Sequence, residues 1–122
     1  MTQQAALSPE TIAELKRQKA DCLLWFDELN TTTLKQGRQH LGDEEIGFCC
    51  MGIGARMFNI CFSSGAGYSV VFQKHLGLLQ ASEMEIAVLN DTEKLSFPEI
   101  AKRLRANPEK YFEWGKYQNE LD

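Results

Sequence analysis

The chain lacks the features that usually announce a function. It has no excess of positive charge: 13 Lys and Arg stand against 17 Asp and Glu, a formal net charge of −4 with a sequence pI near 5.2. Phosphate backbones need a concentrated positive field, so nucleic-acid binding by the whole surface is not expected. No apolar run approaches the ~18 residues a membrane-spanning helix needs, and Met1-Thr2-Gln3-Gln4-Ala5-Ala6-Leu7 carries neither the basic nor the apolar region of a secretory leader. A cytoplasmic protein that does not enter membranes is the expectation. Only four cysteines are present, without framework spacing, which speaks against two structural disulfides in a reducing compartment. There is no internal repeat, low-complexity tract or interdomain linker, so residues 1–122 are expected to form a single domain, with residues 1–7 a flexible lead-in.

What is present is mostly helical punctuation. Ser8-Pro9-Glu10 reads as an N-cap followed by proline in the first turn, and Ile12, Leu15, Cys22, Leu23, Phe26 and Leu29 recur at helical spacing, so a first helix is expected to about Asn30. Residues 31 to 45, with Gly37 and Gly42 around Arg38-Gln39-His40-Leu41, read as loop. Ile46 to Met57 is apolar and rich in glycine, and periodicity alone does not say whether it is strand or packed helix; its glycines imply the close approach of another backbone. Phe58, Ile60 and Phe62, then Ser63-Ser64-Gly65-Ala66-Gly67, then Tyr68, Val70 and Phe72 suggest a β-hairpin. Ser82 with Glu85, and Ser96 with Glu99, have capping-box spacing. The helix after Ser82 is apolar nearly all round at Met84, Ile86, Ala87, Val88 and Leu89, which predicts a central, buried element ending at Asn90-Asp91. Asn107-Pro108-Glu109 opens a last helix with Tyr111, Trp114, Tyr117 and Leu121 in one stripe. The expected fold is α+β, a mainly helical single domain with three to four helices packed around a short β-hairpin.

The adjacent thiols Cys49 and Cys50, between Gly47 and Gly52, are the most distinctive chemistry. A zinc site of Cys49, Cys50, Cys61 and His40 or His75 lacks the knuckle that brings two ligands onto one ion, so no metal and no other cofactor is expected. Thiol catalysis finds no local signature either, and no catalytic residue is assigned. The glycine clusters lack the remaining features of phosphate cradles and read as turns. Cys49 and Cys50 are therefore taken as structural thiols buried in an apolar segment, where Cys49→Ser would strand a hydroxyl. The polar residues left over are Gln36 and Arg38 in the first loop and Asn90 and Asp91 at the helix end. Asn90 and Asp91 suit capping, whereas Arg38 suits either an internal pair with Asp91 or an anionic partner.

Lys35-Gln36-Gly37-Arg38, Gly47-Phe48-Cys49-Cys50-Met51-Gly52, Leu89-Asn90-Asp91 and Ser96-Phe97-Pro98-Glu99-Ile100-Ala101 together resemble the ordered motifs of small uncharacterised proteins of bacteria, prophages and phages. Those proteins read Q-G-R, C-C-L-G-V, L-N-D and S-F-x-E-I-A; here Met51 and Ile53 replace the leucine and valine. The resemblance spans about residues 24 to 105 and implies a mobile-element setting without a mechanism. The functional expectation is a small non-enzymatic binding protein that acts on a host or rival protein, an interaction or inhibitor module. The alternative is a small-molecule or nucleotide binder or enzyme with a pocket around Arg38, Asn90 and Asp91.

Overall fold

The computed structural model describes residues 7–37, 42–43, 47–60 and 70–121. Helix α1 (Pro9–Thr31) is the long axis against which the rest is packed. Its start follows the local chemistry: Ser8 accepts from the Thr11 amide and Pro9 occupies the first turn. Two short strands, β1 (Gly42–Asp43) and β2 (Gly47–Phe48), pair antiparallel. They lead into α2 (Cys50–Met57), followed by α3 (Val70–Leu76), α4 (Ser82–Asp91) and α5 (Phe97–Ala106). The chain ends in α6 (Pro108–Tyr111), a 3-10 turn over Trp114–Tyr117 and α7 (Gln118–Leu121).

The α+β expectation of three to four helices around a hairpin is overturned. The described residues form seven α-helices and one strand pair of two residues each, and no hairpin organises the core. The second arm of the expected hairpin is helix α3 from Val70 onward, while residues 61 to 69 lie outside the described residues. The physical reason is visible in the sequence: Val71 breaks the two-residue alternation, and Phe72 and Leu76 recur one helical turn apart. Both are fully buried. Phe72 meets Trp25 of α1 edge-on at a ring-centroid distance of 5.7 Å and fills the space over Gly54 of α2, where an added Cβ would come within 2.8 Å of its ring. The close approach expected at the glycines is thus made by side chains at Gly54. At Gly47 it is made by backbone: Gly47 has φ +92°, and a Cβ there would strike the chain at Gln36 and Gly37.

An aromatic column joins α1 to the chain's end. Phe26 packs against Phe112, which stacks on Trp114 at 5.1 Å, and the Trp114 indole donates to the Cys22 sulfur. Cys22 in turn donates to the Leu76 carbonyl, tying α1 to the end of α3. The expected last helix is broken into pieces because Phe112 is drawn into a bridge with Leu78: Leu79 donates to the Tyr111 carbonyl and Glu113 to that of Gly77. Those bonds hold Phe112 extended, and a helix cannot pass through it.

The two capping boxes part company. Ser82 lies inside α4, the preceding Ala81 makes no side-chain cap, and Ser82 is buried. At α5 the box is complete: Ser96 accepts from the Glu99 amide and Glu99 accepts from the Ser96 amide at 3.0 Å. That bond holds the Glu99 carboxyl below its ordinary value. The folded form therefore favours the carboxylate, and this stabilisation is present above the unfolded-state value and is lost as pH falls through the lowered folded one. Ser96→Ala, which keeps the amide and loses the hydroxyl cap, is expected to cost about 1 kcal/mol, whereas Glu99→Gln should show in denaturant melts a difference from the parent that shrinks in acid.

Candidate functional site

The motifs that stand apart in sequence meet at one side chain. Asn90, in the last turn of α4, is completely buried and makes every hydrogen bond a carboxamide can make. Its Oδ1 accepts from Gln36 Nε2 at 2.9 Å and from the Cys50 amide at 3.3 Å. Its Nδ2 donates to the Gly37 carbonyl at 2.9 Å and to Asp91 Oδ1 at 2.8 Å. Exchanging the amide oxygen and nitrogen would face two donors with a donor, so the orientation follows from the partners. Gln36 spends its second amide hydrogen on the Leu95 carbonyl at 2.8 Å, which anchors the turn between α4 and α5. Residues 35 to 37 are themselves fixed along β2, since Gly37 donates to Phe48 and Phe48 to Lys35.

The thiols complete this arrangement as parts of a helix terminus. Cys49 is the N-cap of α2, and its sulfur accepts from the Gly52 amide at 3.3 Å. The Cys50 amide, another of the donors a helix start leaves unpaired, is the one satisfied by Asn90. The Cys50 carbonyl accepts from the Trp25 indole at 3.0 Å. Both thiols are buried, and burial pushes both above the ordinary thiol range, Cys50 further than Cys49. Cys22 is raised for the same reason, so none of the three is a ready thiolate nucleophile near neutral pH. The expectation that serine at Cys49 strands its hydroxyl is corrected: at an N-cap the hydroxyl meets the Gly52 amide that the sulfur now caps, and serine is a preferred N-cap.

Of the four candidate residues, the structure brings Gln36, Asn90 and Asp91 together; Arg38 lies outside the described residues, and so does its expected pair with Asp91. Asn90 is a buried hub instead of the end-of-helix cap expected of it. For the alternative pocket the consequence is direct, because Asn90 has no hydrogen-bonding capacity left for a ligand. Cys61 and His40 lie outside the described residues, and His75 sits with Asp21 at 3.1 Å and against the Phe58 ring at 4.4 Å. No group of three or more potential metal ligands occurs among the described residues. Among the same residues no helix is long and apolar enough to cross a membrane.

A second feature went unread in the sequence. Helix α4 is buried on one face only, through Ser82, Glu83, Ile86, Leu89 and Asn90. This corrects the reading of it as buried all round: Met84 is 77% exposed and Val88 40% exposed, one turn apart on the opposite face. Beside Val88 runs a groove of about 290 Å³ lined by Glu85, Val88, Leu89, Glu93, Arg103, Lys110 and Tyr111. The signal available in sequence was the spacing itself, since Ile86 and Leu89 fall on one face with the polar Ser82 and Asn90, leaving Met84 and Val88 on the other.

Compared with protein-family models, curated proteins and solved structures, the chain finds no match.

Two variants of the hub and two of the thiols test these assignments by denaturant melts. Asn90→Ala is expected to destabilise by about 1–3 kcal/mol for each buried group left without a partner, and Gln36→Ala by less. The double variant should lose less than the sum, with a coupling of about 0.5–3 kcal/mol; strict additivity would show that the two side chains do not act as a unit. Cys50→Ser should cost about 1–3 kcal/mol. Cys49→Ser should fall within about 0.5 kcal/mol of the parent, so equal losses at the two positions would refute the capping role of Cys49.

Proposed function

We propose that the protein is a small non-enzymatic binding protein that engages a protein partner through the outward face of α4. The observation that carries this reading is the exposure of Met84 and Val88 one turn apart on a helix whose other face is firmly seated in the core. Single exposed apolar side chains are ordinary, Leu24 and Val71 among them here, but a pair on one helix face beside a groove is a common footprint of helix or peptide recognition. Of the polar residues considered for a ligand pocket, Asn90 is turned to another use, saturated by main-chain and side-chain partners. The Cys49 thiol likewise serves the start of α2, and the Cys50 thiol is buried in the core. The resemblance of the Q-G-R, C-C-M-G, L-N-D and S-F-x-E-I-A segments to phage and prophage proteins supports a partner drawn from the host or from a rival element. In that setting the protein acts in the cell interior as a modulator of its target.

A photoreactive residue placed at Met84 in the native cells, followed by mass spectrometry, tests this. The expected result is a crosslink to one protein from position 84 and none from Arg105, which is held by Asp27 on another face. A small molecule copurifying in stoichiometric amount, with no crosslink specific to position 84, would overturn the reading.

A further inference from the structure

We draw no further inference here: the strongest candidate, the exposed Met84 and Val88 face of α4 beside its groove, belongs to the surface already described, and nothing in the structure shows what covers it.

Discussion

The side-chain amide of Asn90 is the constraint on which the middle of this protein depends. It is one group, fully buried, that joins the loop at Gln36 and Gly37, the start of α2 and the end of α4. A buried carboxamide with four good partners stabilises a single arrangement, because moving any one element leaves donors or acceptors unpaired away from water. Asparagine is suited to this by size and by chemistry. Aspartate offers no donor for the Gly37 carbonyl, and leucine of similar volume offers nothing to the Cys50 amide. From this hub the rest of the local order follows: β2 clamps residues 35 to 37, Cys49 takes the next free amide of α2, and Gln36 carries the network on to the α4–α5 turn.

Local chemistry was legible in the residues and long-range pairing was not. The start of α1 at Ser8-Pro9 and the complete box of Ser96 and Glu99 need only three or four consecutive residues to be recognised, and both form as their spacing implies. Ser82 and Glu85 have the same spacing and do not form a box, because the helix begins one position earlier and packing draws Ser82 inward. The hairpin expectation failed for the opposite reason. Val70 and Phe72 suit a strand in isolation, yet Phe72 is placed by what it must cover, Trp25 on one side and Gly54 on the other. Tertiary contacts outweigh a two-residue alternation that Val71 already spoils.

The candidate site divides along the same line. That Gln36, Asn90 and the cysteine segment belong together could be suspected from their shared motif order, but their roles could not. Asn90 looked like a cap for the end of its own helix; it serves the start of another helix 40 positions earlier in the chain. Such a contact carries no sequence periodicity, since it joins one side chain to one main-chain amide. Both thiols are buried as expected, but the role of the Cys49 sulfur at a helix terminus was not read, because a sulfur acceptor at an N-cap stands where serine, threonine, aspartate or asparagine is the usual sign.

The same network bears on how the outer face of α4 is presented. The inner face is fixed at one end by Asn90 and along its length by Ile86 and Leu89 in the core, so the outward angle of Met84 and Val88 is set by contacts on the far side of the helix. A rigid helix presents apolar anchors at constant spacing, and little ordering entropy then remains to be lost when a partner binds. This gives the motif residues a role that requires no contact with any ligand. Gln36, Asn90 and Cys49 hold a scaffold, and the residues proposed to meet a partner lie on the opposite side of α4. The two faces obey different rules of substitution: the hub admits almost no change of chemistry, whereas exposed Met84 and Val88 can be exchanged without leaving a buried group unpaired.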